Sequence, residues 1–266
     1  MKGPYIIAEI GSNWRHDIQI GKAQIWAAKK CGADAVKFQM YTHKDLYGTE
    51  GILKGGVTER EVEIFSEFCQ QNNIDFLCSA FSADDFYFLN PYVKYHKIAS
   101  CENEDPTIIA AVLNSDKKFF RSNGATFGLN RLPREIPMSC IAAYPAKAED
   151  YSFKNFDETL DWGLSDHTIG IELAVTALFK GCMYFEKHFD STPQFPPTAD
   201  ASVSFDEPEF ADYCDTIRYL YHLKNITEQA KTVTADESDI VKYYKRRYIP
   251  EQKGFFRTKP VDQNPK

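Results

Sequence analysis

The chain has 266 residues, 43% hydrophobic and 26% charged, with a formal net charge of −7. That length suits a single α/β barrel as well as two small domains, and the composition excludes wholesale disorder. No apolar run nears the roughly 18 residues of a membrane span. The acidic balance argues against a general nucleic-acid binder, though a few lysines in a cleft can still hold a small anion.

In chain order, short β-rich runs alternate with stretches of helical spacing. Strands are expected at Tyr5–Ile10, Ala35–Phe38, Ile74–Cys78, Tyr95–Ala99, Phe119–Arg121, Met138–Ala142, Asp161–Leu164 and Met183–Lys187. Helical periodicity fills most gaps: Ile18–Lys30, Glu59–Asn72, Ala83–Leu89, Asp105–Leu113, Ile169–Phe179 and Glu207–Ala230. Eight such units predict a parallel sheet closed into a (β/α)8 TIM barrel. Gly124, Gly128, Pro133 and Pro137 punctuate the fifth crossover, which should be shortened, and the sixth, from Pro145 to Leu160, should be irregular. The barrel domain is expected to cover 1–237, with 238–266 as a charged tail or linker remnant. The start, Met1-Lys2-Gly3-Pro4 and then Glu9 after a few apolar residues, is too short for a secretory core, so a cytoplasmic location is expected. Seven cysteines stand singly without a C-x-x-C pair, and Cys31, Cys78 and Cys182 read as reduced core residues.

Ionisable residues gather at the carboxyl ends of the predicted strands, where barrel enzymes build their sites. Glu186 and His188 are two apart and share a face at the end of strand eight. Lys37 and Gln39 do the same at the end of strand two. Glu9 closes strand one and Lys97 lies near the end of strand four. Charges inside barrel strands are costly unless paired, which points to function. His167 follows strand seven, beside strand eight, so His167 and His188 converge on one candidate divalent ion. The residues alone leave Mn²⁺, Zn²⁺, Fe²⁺ and Co²⁺ open. His16, His43, His96 and His222 lack such a context and read as surface or packing residues.

These residues fall in runs that resemble the N-acetylneuraminate (sialic acid) synthase family over roughly residues 5–220. The runs are Ile7-Ala8-Glu9-Ile10-Gly11-Ser12-Asn13, Gly32-Ala33-Asp34-Ala35-Val36-Lys37-Phe38-Gln39 and Lys97-Ile98-Ala99-Ser100. They continue with Tyr144-Pro145, Gly163-Leu164-Ser165-Asp166-His167-Thr168-Ile169-Gly170 and Glu186-Lys187-His188-Phe189. The resemblance implies an enzyme that condenses phosphoenolpyruvate with an N-acylated hexosamine or smaller aldose and releases phosphate. It also implies a divalent metal (Mn, or Mg, Co or Zn) held by His167 and His188, with Glu186 beside it as acid/base and Glu9 as the other candidate. By the same resemblance Lys37, Lys97, Ser79, Ser100, Ser122 and Ser165 hold the phosphate and carboxylate of phosphoenolpyruvate. Glu9, Gln39, Tyr144 and Asp200 lie nearer the metal or the sugar, and a homodimer is expected, with no nucleic acid or membrane partner.

Departures from the family's runs imply an acceptor-side pocket that differs, with the phosphoenolpyruvate side more intact. Trp14 stands where the family has histidine, and the nearby glycine is missing around His16-Asp17. Ala142 replaces an asparagine, Ser122-Asn123-Gly124-Ala125 replaces a Ser-Thr-Gly-Met loop, and Ala201 replaces a histidine after Asp200. The family's antifreeze-like carboxy-terminal domain is not expected beyond Arg246-Arg247. Two other readings therefore stand beside the synthase: a catalytically inactive barrel used for binding or assembly, and a metal-dependent aldolase or lyase on the same fold.

Overall fold

The computed structural model describes residues 3–51, 55–124, 130–154, 156, 159–227, 247–249 and 254–256. Eight parallel strands close into a barrel in sequence order: β1 Tyr5–Glu9, β2 Ala35–Met40, β3 Asp75–Ala80, β4 His96–Ile98, β5 Phe119–Ser122, β6 Glu135–Cys140, β7 Gly163–Asp166 and β8 Tyr184–His188. Between them run α1 Ile18–Lys30, α2 His43–Tyr47, α3 Glu59–Gln71, α4 Ala83–Leu89, α5 Pro106–Asn114 and α6 Glu172–Phe179, and α7 Glu207–Thr227 follows β8. The helix starts are chemical. Asp17, Ser82 and Asp105 accept from the first backbone N–H groups of α1, α4 and α5, and Thr58 with Glu61 forms a capping box on α3. The fifth crossover carries no helix among its described residues, and the sixth holds a single 3-10 turn at Ala148–Asp150.

Most element ends differ from the sequence expectation by one to three residues, β6 and β7 among them. β6 begins at Glu135, because Phe119 pairs with Glu135 and Phe120 with Ile136 on the near side of Pro137. Proline removes one donor, but flanking pairs carry the ladder past it. β7 runs from Gly163 to Asp166, two residues later than expected, which keeps the same face inward and brings Ser165 and Asp166 into the strand. Met1–Lys224 and Asn225–Lys266 separate as two units. In the second, β9 Arg247–Ile249 pairs antiparallel with β10 Gly254–Phe256. The rest of the tail, Tyr243, Tyr244 and Arg246 included, lies outside the described residues. No helix among the described residues is long and apolar enough to cross a membrane.

Alternation along the strands sorts the side chains into two cores. Outward residues such as Ile6, Val36, Phe38, Phe76, Ile98 and Phe185 pack under the helices. Inward residues stack in layers. Tyr5, Tyr95 and Tyr184 lie at the amino end, with Ile7, Ala35, Leu77, Phe120, Ile136 and Met138 above them. One further step along each strand brings Glu9, Lys37, Ser79, Lys97, Ser122, Cys140, Ser165 and Glu186, all buried. The barrel interior therefore changes from apolar to ionisable over one layer.

His96 faces outward and is buried, its ring 5.2 Å from that of Phe86. Its Nε2 donates to Asn90 Oδ1 at 2.9 Å, and its Nδ1 finds no hydrogen-bond partner among the described residues. Burial, with Lys117 nearby, pushes its pKa down to about 4. Because the folded value lies below the unfolded one, the unfolded chain binds the proton first. The stability is complete above the ordinary imidazole range and is lost as pH falls toward 4. Between pH 7 and pH 4.5, urea melts of the parent should lose about 2–3 kcal/mol more than those of His96→Gln. Parallel pH curves for the two would contradict this.

Candidate active site

A cavity of about 260 Å³ opens at the carboxyl end of the barrel, lined by residues from every strand of the sheet. Strand register brings its charges together. Glu9 stands opposite both Lys37 and His188, Ser79 opposite Gln39 and Lys97, and Ser165 opposite Glu186. All thirteen residues expected from the sequence gather here. Asp200, the one outside the cavity lining itself, sits at its edge, with Oδ1 3.9 Å from His188 Nδ1.

The floor is a buried ionic cluster. Lys97 Nζ donates to both oxygens of Glu186 at 2.9 Å, and Ser165 Oγ donates to Glu186 Oε1 at 2.9 Å. Lys37 Nζ lies 2.7 Å from Glu9 Oε2 and 3.4 Å from Glu186 Oε1, and donates to Ser79 Oγ at 3.2 Å. Gln39 Nε2 donates to Glu9 Oε1 at 3.0 Å. Two carboxylates thus end in different states. Burial alone would raise Glu186, but Lys37, Lys97 and Ser165 outweigh it and hold it well below the usual carboxylate range. Burial dominates at Glu9 and raises it against the pull of Lys37. Pairs pushed apart in this way mark separate electrostatic and proton-handling roles.

Beside the lysines the wall is made for oxygen-rich ligands. Ser122 Oγ is buried and has no hydrogen-bond partner among the described residues, and Ser100 Oγ donates to Cys140 Sγ at 3.3 Å. A Cβ on Gly124 would lie 2.6 Å from Ser100 Oγ, so only glycine leaves this concavity open. Glu102 was not anticipated from the sequence. It comes into the cavity on a 3-10 turn, Ser100–Glu102, its Oε2 buried without a hydrogen-bond partner among the described residues. Burial pushes Glu102 up to about 7. Cys140 was likewise read only as one of the single cysteines, yet its thiol lines the same cavity.

At the rim, the His167 and His188 rings lie 5.3 Å apart, and Tyr144 stacks on His167 at 4.3 Å. His167 Nδ1–H donates to the Ile141 carbonyl at 2.7 Å, which leaves the Nε2 lone pair to accept from the Tyr144 hydroxyl at 3.3 Å. Burial lowers His167, but the Cys140 thiol and the Ile141 carbonyl outweigh it and hold the ring above its ordinary value. Burial holds His188 well below its own, so that ring is neutral, and its buried Nδ1 has no hydrogen-bond partner among the described residues. A neutral imidazole with an unsatisfied nitrogen is a form that ligates metals. The pair fits a divalent ion as two nitrogen ligands. Among the described residues no three of His, Cys, Asp and Glu gather to hold one, so water or substrate oxygens would complete the shell. Asp200 is anchored by Ser12, whose N and Oγ donate to its Oδ2 at 2.8 and 2.6 Å. Gly11, at φ +49°, makes room for that carboxylate, since a Cβ there would lie 2.6 Å from Asp200 Oδ2. Trp14 is buried, donates from Nε1 to the Gly55 carbonyl at 3.0 Å and packs on Phe65, so it belongs to the supporting core.

A profile described as the NeuB family matches residues 49–229. The chain is 29% identical over 254 residues to a pseudaminic acid synthase of Campylobacter jejuni, covering 82% of this chain and 74% of that protein. It is 27% identical to an N,N'-diacetyllegionaminic acid synthase of Legionella pneumophila, over 80% of this chain and 71% of the relative. Among solved structures, an N-acetylneuraminic acid synthetase of Leptospira borgpetersenii superposes with a TM-score of 0.75 at 22% identity, covering 90% of each chain. That likeness speaks to the fold, and it agrees with the closed barrel.

Proposed function

Because the chain belongs to the NeuB family, we propose that it is a synthase that condenses phosphoenolpyruvate with an aldose and releases phosphate. The observation that carries this reading is the pair of buried ammonium groups, Lys37 and Lys97, set among serine hydroxyls in the cavity that two imidazoles also line. A ligand bearing both carboxylate and phosphate needs charge-assisted donors of this kind.

In the reaction, the methylene carbon of phosphoenolpyruvate bonds to the aldehyde carbon, and the aldehyde oxygen takes a proton. Water adds to the carbon that bears the phosphate, losing a proton, and the bond from that carbon to the phosphate oxygen breaks. Lys37, Lys97, Ser79, Ser100, Ser122 and Ser165 bind and orient the anion. Glu186, driven fully ionised, holds both ammoniums in place, so the proton-moving role that the resemblance implies for it passes to Glu9. Glu102, poised near neutrality, is a second proton carrier on the opposite wall. Tyr144, Gln39 and Asp200 face the acceptor side. His167 and His188 would hold the divalent cation, Mn²⁺ or one of Mg²⁺, Co²⁺ and Zn²⁺. When bound, that cation polarises the acceptor aldehyde.

Phosphate release on mixing the protein with phosphoenolpyruvate, Mn²⁺ and a panel of aldoses tests the proposal. Release should require both organic substrates. Ala142 and Ala201 take polar side chains from the acceptor side, and a site without its hydrogen-bond partners discriminates poorly for a substrate that needs them. N-acetylmannosamine should therefore turn over at least about tenfold more slowly than the best smaller aldose. Absence of phosphate release with every aldose of the panel, at any pH, would favour an inactive barrel. Cleavage of a sugar acid without phosphoenolpyruvate would favour an aldolase or lyase.

A further inference from the structure

Behind the two imidazoles, on the outer face of the sheet, lies a second ionic pair that the proposed reaction does not use. Lys187 sits between Glu186 and His188 on β8 and points outward by strand alternation, fully buried. Its Nζ lies 3.4 Å from Asp166 Oδ2, donates to the Thr168 carbonyl and stands 4.4 Å above the Phe205 ring. Asp166 is also fully buried, and its Oδ1 accepts from Thr168 N at 2.8 Å and Thr168 Oγ1 at 2.7 Å. His167 is the residue between Asp166 and Thr168. Its own peptide is held as well: its N–H donates to the Tyr151 hydroxyl at 3.2 Å, and its carbonyl accepts from Ala146 N at 2.9 Å.

A buried pair of this kind is weak as a stabiliser, because desolvating two charges offsets their attraction, and apolar residues of like volume often do as well. What apolar residues cannot supply is direction. The ammonium ties a strand that ends in His188 to the turn that carries His167, and the carboxylate closes that turn on itself. We propose that Lys187 and Asp166 are positioning residues that fix the mutual orientation of His167 and His188 from behind the sheet. Residues that orient a ligating histidine act through the backbone and the second nitrogen, and here the Ile141 bond to His167 Nδ1 holds only if the turn stays in place.

The kinetic arm of the test rests on the proposed synthase reaction; a spectroscopic arm does not. The double variant Asp166→Asn/Lys187→Met removes both charges, keeps an acceptor for Thr168 N and leaves an unbranched stem on Phe205. Long-range ¹H–¹⁵N spectra of the imidazoles should show one fixed Nδ1–H tautomer for His167 in the parent and tautomer averaging in the variant. In turnover, kcat should fall by about tenfold or more while KM for phosphoenolpyruvate moves less than about threefold. Thr168→Ala, which keeps both charges and loses one hydroxyl bond, should fold under any outcome for the double variant and should lower kcat by about threefold. An unchanged His167 tautomer in the double variant, or in Thr168→Ala should the double variant not fold, overturns the proposal. Turnover within twofold of the parent in both variants would overturn it too. If the parent turns over no aldose while the tautomer shift is seen, the synthase reading fails and the positioning role stands.

Discussion

Lys97→Ala is expected to weaken phosphoenolpyruvate binding by about 10- to 100-fold, since a charge-assisted contact to a carboxylate or phosphate is worth about 1.5–3 kcal/mol. The loss should reach further than one contact. Lys97 is the group that holds both oxygens of Glu186, and without it that carboxylate keeps Ser165 and the longer 3.4 Å approach of Lys37. Lys37 would then be drawn from Glu9 toward Glu186. The cluster would lose its division between an ionised and a protonatable carboxyl. Lys97→Ala/Glu186→Ala removes both buried charges and should fold more stably than Lys97→Ala alone, because a half-paired buried carboxylate is costly. Calorimetry with phosphoenolpyruvate and thermal melts check the two parts separately. Unchanged affinity in Lys97→Ala would remove that lysine from the anion site.

His188→Ala should reduce kcat by on the order of 10³-fold, the scale of several kcal/mol of lost stabilisation at a polarised oxygen. It should do so without unfolding the barrel. The imidazole is buried, yet its Nδ1 has no hydrogen-bond partner among the described residues, so its removal takes away an unsatisfied polar atom together with ring contacts to His167 and Tyr144 at the open end of the barrel. Circular-dichroism melts should therefore stay close to the parent, while manganese binding, followed by titration, is lost. A variant that keeps more than about a tenth of parental kcat would detach His188 from the chemistry. Because His167 is held above its ordinary value, a cation at this pair competes with a proton, and manganese affinity in the parent should fall as the solution is acidified.

The barrel was legible because its signal is local and repeated. Period-two alternation in Ile7–Glu9, Lys37–Gln39 and Glu186–His188 places ionisable groups on one face at one end, and short crossovers leave a single way to close the sheet. The partnership of the charges was not legible. Register sets Lys37 opposite Glu9 on neighbouring strands, whereas Lys97 on β4 meets Glu186 on β8 across the barrel interior, and that meeting exists only once the sheet has closed. Glu102 was missed for a related reason. It lies on a three-residue turn with no period to read, and only the fold of that turn against β4 brings its carboxylate into the cavity. The five-residue helix His43–Tyr47 is too short to carry a helical pattern, and its capping box at Thr42 and Asp45 was its one local sign.

The layer of Tyr5, Tyr95 and Tyr184 beneath Phe120 has a kinetic meaning. These rings lean on one another at centroid separations of 5.1–6.3 Å and fill the amino end of the barrel, so the interior is a cup and not a tunnel. Lys37 and Lys97 lie at its bottom, 3% and 2% exposed, while Tyr144 at the lip is 46% exposed. Traffic in a cup is last in, first out. For the proposed reaction the enol phosphate has to seat before the aldose, since the aldose would block its way. An aldose arriving early finds a place but no partner, and at high concentration acts as a stopper. Product departure inherits the same queue: phosphate bound beside the lysines waits beneath the new sugar acid until the lip is clear.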